Sequence, residues 1–207
     1  MKIVQIVKKL NNTELGKGGM NDTYVLIPND LDITDIFEKV NVPIEFVDKY
    51  TREKVKIRST SGREKRIAGL GQYYRNKNLC AGDEVILERY SAEGQENYYI
   101  YTNRHTDNLV IQKSRHGFEI LTPDRLDSFS ERISQANIDM DIQYTKSEKK
   151  RADSPEKTDF YDVKVNGKSL LETYGGKEAI EIWLKDNELM VLGFYGWKKY
   201  VYMMEEN

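Results

Sequence analysis

The sequence predicts a mixed, mainly β fold in two parts: a seven-stranded pseudobarrel with two short helices over residues 1–105, then a β-rich α+β domain over residues 106–207. The first observation is compositional, because 14 tyrosines among 207 residues favour β structure over a helical bundle. The second is that short apolar runs recur along the chain with turn residues between them. The third is a polar break at residues 103–108, which divides the chain into two parts of domain size.

The strands of the first domain are predicted from apolar runs that end at turn-forming residues. The second strand ends at Pro28-Asn29-Asp30, and the strand around Ile86 begins after Ala81-Gly82-Asp83. Just before that second turn, Leu70 and Tyr73 recur at helical spacing and predict a short amphipathic helix. The clearest predicted strands are residues 2–10, 24–27, 43–48, 54–59, 85–87 and 97–103, and the other short helix is residues 31–38.

The second domain is predicted as a β-rich sheet with one helix. Thr122-Pro123 starts that helix, with threonine as its cap and proline at its first position, and the helix ends at about residue 136. Asn166-Gly167 lies between two strand-like runs and predicts a hairpin with a type I′ turn. Residues 145–158 are highly charged and are predicted as a loop or linker. The predicted strands are residues 109–112, 118–121, 138–144, 160–165, 168–171, 180–184, 189–194 and 198–203, the last of which is expected to close this second sheet.

Positive charge is concentrated in one segment of the first domain. The whole chain has a net charge of −2, whereas residues 48–77 contain ten basic and three acidic residues, a local net charge of +7. A patch of this kind is the electrostatic footprint expected of a surface that binds phosphates. A charged hairpin that is simply solvated has the same composition, so that alternative stays open.

Metal, disulfide and membrane chemistry have little support in the sequence. Cys80 is the only cysteine, which excludes an internal disulfide, and His105 and His116 lack the spacing of paired metal ligands. No apolar run approaches the ~18 residues that a membrane span needs, and the amino terminus lacks the apolar region of a signal peptide. The sequence therefore predicts a cytoplasmic protein with no membrane contact, no metal site and no cofactor.

Two motifs in the first domain resemble a known family. One is ELGKGGMNDTYVLIP, residues 14–28, a polar arm that runs into a strand ending in Ile-Pro. The other is GLGQYYRNKNLCAGDEVILE, residues 69–88, a helix followed by Gly-Asp and an apolar strand. In this order they resemble the DNA-binding pseudobarrel shared by plant B-three transcription factors and restriction-enzyme recognition domains. The closest likeness is to the amino-terminal domain of EcoRII and the recognition domains of BfiI-type endonucleases, and it spans about residues 1–105.

The resemblance implies a protein that recognises a specific sequence in double-stranded DNA by gripping the major groove with two arms. Arginine can donate two hydrogen bonds to guanine, asparagine can pair with adenine and aspartate can accept from cytosine, while hydroxyls and lysines suit phosphates. It also implies a restriction-modification or related defence system, with the chain as the target-recognition part of an endonuclease, acting with a nuclease partner or as a homodimer. The first arm would supply Lys17, Asn21, Asp22 and Thr23, and the second arm, residues 58–66, would supply Arg58, Ser59, Thr60, Arg63, Lys65 and Arg66.

Two alternatives remain. In one, the chain is a complete small type II restriction endonuclease that uses magnesium, which needs carboxylates to hold the metal and a lysine near the attacked phosphate. Asp162 and Lys164 have the required D-x-K spacing on a predicted strand, with Asp141 and Glu131 as candidates for the second carboxylate. In the other, the first domain is an interaction barrel for a protein or small ligand, and its basic arm is only solvated. DNA recognition is the favoured prediction, and whether the chain is an enzyme stays open.

Overall fold

The computed structural model describes residues 1–16, 23–150, 152, 156–174 and 179–204, and these residues form a mainly β structure with three short α-helices. The predicted mixed, β-rich α+β fold is confirmed. No helix in the described ranges is long and apolar enough to cross a bilayer. The chain folds as two units: the first comprises Met1–Arg104 together with the segment from Gly196 onward, and the second comprises His105–Tyr195.

Among its described residues, the first unit consists of strands and one short α-helix. Its elements up to residue 103 are β1 (Lys2–Lys9), β2 (Val25–Leu26), β3 (Ile44–Asp48), β4 (Lys54–Thr60), β5 (Arg66–Ala68), α1 (Gly71–Asn76), β6 (Glu84–Ala92) and β7 (Gln95–Asn103). Burial alternates along β4: Val55, Ile57 and Ser59 are buried, whereas Lys54, Lys56 and Arg58 are exposed. In α1, Tyr73 and Tyr74 are buried in the core, as the helical spacing predicts.

The second predicted helix, at residues 31–38, is wrong, because this segment forms turns. Ile33 and Phe37 are buried at the spacing of one helical turn, and the Phe37 amide donates to the Ile33 carbonyl at 2.9 Å. However, the Asp32 carboxylate accepts from the Thr34 amide at 2.9 Å and from the Thr34 hydroxyl at 2.7 Å. These bonds start a single turn of chain, in which the Ile36 and Phe37 amides both donate to the Ile33 carbonyl.

The second unit is an antiparallel sheet with short helices. Its elements are β8 (Asn108–Ser114), β9 (Gly117–Ile120), a 3-10 turn (Pro123–Arg125), α2 (Leu126–Gln135), β10 (Met140–Glu148), β11 (Thr158–Val165), β12 (Lys168–Ser169), α3 (Leu170–Thr173), β13 (Ala179–Lys185) and β14 (Glu188–Gly193). The strand order is β10-β11-β9-β8-β13-β14, and β12 pairs with β11. Asn166 and Gly167 have φ of 50° and 71° and join β11 to β12, which confirms the predicted turn.

The last strand, β15 (Trp197–Met203), belongs to the first unit and not, as the sequence predicts, to the second sheet. It pairs antiparallel with β1, from Lys2 opposite Met203 to Lys8 opposite Trp197. The order of this eight-stranded sheet is β15-β1-β6-β7-β3-β4-β5-β2. Most of β1 is buried, so both of its edges need a hydrogen-bonded neighbour, and β15 is the second one.

Candidate nucleic-acid interface

One end of the first sheet carries the segments that the sequence assigns to the two arms. β4 and β5 form an antiparallel hairpin that closes at Thr60 opposite Arg66, and its tip, residues 61–65, is exposed. β2, which follows the first arm, pairs with the other edge of β5, with Leu26 opposite Arg66. The two predicted arms therefore leave the sheet from adjacent strands.

The exposed face of this hairpin carries a row of cations. Lys54, Lys56 and Arg58 alternate with buried residues along β4, so their side chains project from one face. Arg63 and Lys65 add two exposed cations at the tip. The strand geometry thus places the β4 cations on one face, and the tip adds two more just beyond the end of that strand.

Four of the six cations on this hairpin, counting Arg66 of β5, form no ion pair among the described residues. Lys56, Arg58, Arg63 and Lys65 form no ion pair within the part of the chain that the structure describes. Exposed lysine or arginine without a carboxylate is common singly, but several on one hairpin produce a positive potential that attracts anions. This cluster gives the exposed hairpin a net positive charge.

The other two hairpin cations are held by neighbours. Lys54 Nζ lies 2.7 Å from Glu45 Oε1, and Arg66 Nη2 lies 2.7 Å from Glu64 Oε2. The Arg66 guanidinium also lies over the ring of Tyr24, 3.8 Å from its centroid. Arg66 is therefore oriented from two sides, by a carboxylate on its own hairpin and by an aromatic ring beside β2.

Not every cation of residues 48–77 is available to a ligand. Lys49 pairs with the buried carboxylate of Glu88 and donates to the Tyr90 hydroxyl at 3.0 Å. Burial alone would lower the pKa of Lys49, but these two partners outweigh that effect and raise the pKa above its ordinary value. Lys77 is also paired internally. The local charge counted from the sequence therefore overstates the charge that a ligand can contact.

Asp48, the last residue of β3, connects the β3–β4 turn to α1. Its buried carboxylate accepts from the Tyr73 hydroxyl at 2.6 Å and from the Tyr50 and Thr51 amides at 2.9 and 2.7 Å. Lys77 Nζ lies 2.9 Å from the same carboxylate. Burial alone would raise the pKa of Asp48, but Lys77, Tyr73 and the two amides hold it well below its ordinary value. A single carboxylate thus anchors the base of the hairpin strand to the helix.

Of the predicted first-arm residues, only Thr23 is described; Lys17, Asn21 and Asp22 lie outside the described residues. Thr23 lies directly against the first residue of α1. A Cβ added at Gly71 would lie 2.2 Å from Thr23 Oγ1 and 3.0 Å from Thr23 Cβ. Glycine at this position permits the close approach, and the base of the arm is seated against the helix.

The predicted second-arm residues do not all share one face. Ser59 is only 4% exposed, and its Oγ has no hydrogen-bond partner among the described residues. Thr60 is half-buried and, with Arg63 and Arg66, lines an open depression of about 400 Å³ at the hairpin tip. The structure therefore places Ser59 on the inner face of β4, opposite the face that carries Arg58.

Sequence reasoning missed Lys56 and Tyr24 as candidate site residues. The lysine could have been found, because residues two apart on a strand share a face and Arg58 is already a candidate. The contact between Tyr24 and Arg66 joins β2 to β5, and no local pattern predicts it.

The second unit places Asp162, Lys164 and Asp141 on one face of the β10–β11 pair. Lys164 is opposite Asp141 in the register, and Asp162 lies two residues away on the same strand. Asp162 Oδ2 lies 3.9 Å from Lys164 Nζ, and Asp162 also accepts from the Ser169 hydroxyl. Glu131 lies on a different element, α2. Within the described ranges, no three His, Cys, Asp or Glu residues lie close enough together to hold a metal ion.

Comparison with known proteins finds similarity only among solved structures, since no family model and no curated protein matches. The similar structures include a hypothetical protein of Arabidopsis thaliana, with 16% identity, 50% of this chain, 92% of that chain and a TM-score of 0.34. They also include an Arabidopsis FUS3–DNA complex, with 18% identity, 47% of this chain and 94% of that chain covered, and a TM-score of 0.33. A third is the N-terminal domain of Helicobacter pylori LlaJI.R1, with 14% identity, 48% of this chain and 80% of that chain covered, and a TM-score of 0.32. At these identities and TM-scores, the function has to be argued from the surface described above.

Proposed function

We propose that the first unit binds double-stranded DNA and recognises a specific sequence in it. The observation that carries the proposal is the exposed hairpin, on which Lys56, Arg58, Arg63 and Lys65 have no ion pair within the described part of the chain. Phosphates supply the anions that such a surface lacks, and a two-stranded ribbon fits the major groove of a DNA duplex.

The cations of the hairpin suit two different tasks. Lysine is a flexible point charge, so we assign Lys56 and Lys65 to phosphates. Arginine presents a planar fork that matches the O6 and N7 atoms of guanine, so we assign Arg63 and Arg66 to base edges. Arg66 is already oriented by Glu64 and Tyr24, which reduces the entropy that it would lose on binding.

We further propose a biological setting, which is supported by the resemblance of residues 14–28 and 69–88 to restriction-enzyme recognition domains. The chain is the target-recognition part of an endonuclease in a restriction-modification or related defence system. A nuclease partner, or a second copy of the chain, completes the assembly. Magnesium is needed only if the chain itself cleaves, through Asp162 and Lys164.

The test is selection from a pool of randomised duplexes, with and without magnesium, followed by sequencing of what is retained or cut. Enrichment of one short motif without cleavage supports the DNA-reading function. Cleavage at or near that motif supports the nuclease alternative. No enrichment at any salt concentration contradicts sequence-specific recognition.

Single substitutions in the hairpin tip are expected to weaken binding to the selected duplex by about tenfold or more, since one base contact contributes ~1–3 kcal/mol. Arg63→Ala removes an exposed side chain with no ion pair in the described ranges, and Arg66→Ala removes the guanidinium beside Tyr24. Asp162→Ala, in the second unit, is the control and should bind as the wild type does. Fluorescence anisotropy with a labelled duplex measures all three. Wild-type affinity in both arginine variants would contradict the placement of the second arm.

A further inference from the structure

A groove of about 260 Å³ lies beside the hairpin, between it and the turns that precede β3. Much of its lining is apolar: Ile27, Ile33 and Phe37 are each less than one-tenth exposed, and Val40 is 48% exposed. The hairpin contributes Ser59, Thr60, Ser61 and Lys65. The groove is therefore continuous with the surface that we propose for DNA.

Ser59 supplies an unusual polar group to this groove. Its Oγ is buried without a hydrogen-bond partner among the described residues, although the Ser59 backbone carbonyl accepts from the Asn41 amide at 2.8 Å. A buried hydroxyl normally has a partner, because leaving it unpaired costs free energy. Lys65, which has no ion pair in the described part of the chain, lines the same groove. The turns add Asn29, Asp30, Asp32 and Thr34 to the polar part of the lining. Apolar surface with convergent polar groups is typical of ligand sites.

We propose that this groove receives one nucleobase extruded from the bound duplex. The inference rests on the proposed function and deepens it. An extruded base is flat and apolar on its faces, which suits Phe37 and Ile33, and polar on its edge, where it can bond the Ser59 hydroxyl. The phosphate of the same nucleotide would remain outside the groove within reach of Lys65, on the hairpin that holds the rest of the strand.

The test is a scan of single mismatches through the selected duplex. A mismatch lowers the cost of extruding a base while keeping that base present. At one position of the site, a mismatch is therefore expected to tighten binding by about tenfold or more, because unstacking and unpairing consume a few kcal/mol of the binding free energy. A duplex with 2-aminopurine at that position should also become brighter on binding, since the base leaves its stack.

Two matched variants locate the base. Val40→Trp fills the groove from an exposed position. Val42→Trp makes the same change two residues away, at a residue that is 46% exposed and does not line the groove. Val40→Trp should lose the mismatch effect and the 2-aminopurine signal. Val42→Trp should keep both.

The outcomes separate the two proposals. If the matched duplex binds specifically but no mismatch tightens binding, the base-extrusion inference is overturned and DNA recognition stands. If a mismatch tightens binding equally in the wild type and Val40→Trp, the extruded base does not occupy this groove, and the inference is again overturned. If no duplex is bound specifically, the proposed function itself fails.

Discussion

Reversing two charges on β4, as Lys56→Glu with Arg58→Glu, is expected to abolish specific duplex binding at physiological salt and to weaken binding at low salt by about 100-fold or more. Both side chains are exposed on one face of the strand, and neither has an ion pair in the described ranges. Each is therefore available to neutralise a phosphate, and glutamate replaces that attraction by repulsion. The slope of log affinity against log salt should fall by about two, since each lost phosphate contact removes ~0.9. Anisotropy titrations at several salt concentrations measure both quantities.

A change of the same charge elsewhere is the control for this experiment. Lys168→Glu with Lys185→Glu alters two exposed lysines of the second unit and should leave duplex affinity nearly unchanged. Because Lys56 is opposite Glu45 in the β3–β4 register, the reversal also sets two carboxylates side by side, so folding is checked by circular dichroism. Lys56→Gln with Arg58→Gln removes the cations without adding repulsion and should lose about half as much in log affinity. Equal losses of duplex affinity in the β4 reversal and in the second-unit control would mean that binding depends only on the net charge of the protein.

The first strand and the tip of the hairpin could be located from the sequence because their determinants are local. The second strand, β5, was missed because its three residues are too few to show a period. Apolar and charged residues alternate over residues 54–59, and a polar tip with Gly62 follows immediately. The same period of two shows that Ser59 lies on the opposite face from Arg58. Composition alone groups all hydroxyls and guanidinium groups of the arm together, whereas strand geometry separates them.

Pairings between distant segments could not be predicted in the same way. β15 follows the second unit in the chain, yet it pairs with β1, and nothing near residues 197–203 signals that partner. The charge that the basic segment offers to a ligand could not be predicted either, since Lys49 is neutralised by Glu88 of β6. Sequence reasoning counts a charge wherever it occurs, but only the fold determines which charges are already paired.

Asp48→Asn is expected to lower the free energy of unfolding of the first unit by about 2–4 kcal/mol, because it leaves a buried ion pair without its anion. The amide can still accept from the Tyr50 amide, but it no longer neutralises Lys77, whose Nζ lies 2.9 Å from the carboxylate. Urea unfolding followed by tryptophan fluorescence measures the change. Trp183→Phe leaves Trp197 as the only tryptophan, so the signal reports on the first unit. Asp30→Asn, at an exposed position, should change the free energy by less than about 0.5 kcal/mol.

The effect of Asp48 should depend on pH in a direction set by its lowered pKa. A carboxyl whose pKa is depressed in the folded state stabilises that state fully above its unfolded pKa of about 3.9 and loses the stabilisation as pH falls through the folded value. The difference in free energy of unfolding between the wild type and Asp48→Asn should therefore be constant near neutral pH and shrink below about pH 4. A constant difference down to pH 3 would mean that the asparagine variant fails through altered packing. The predicted narrowing would show that the charge of Asp48 is what fastens the base of the hairpin to α1.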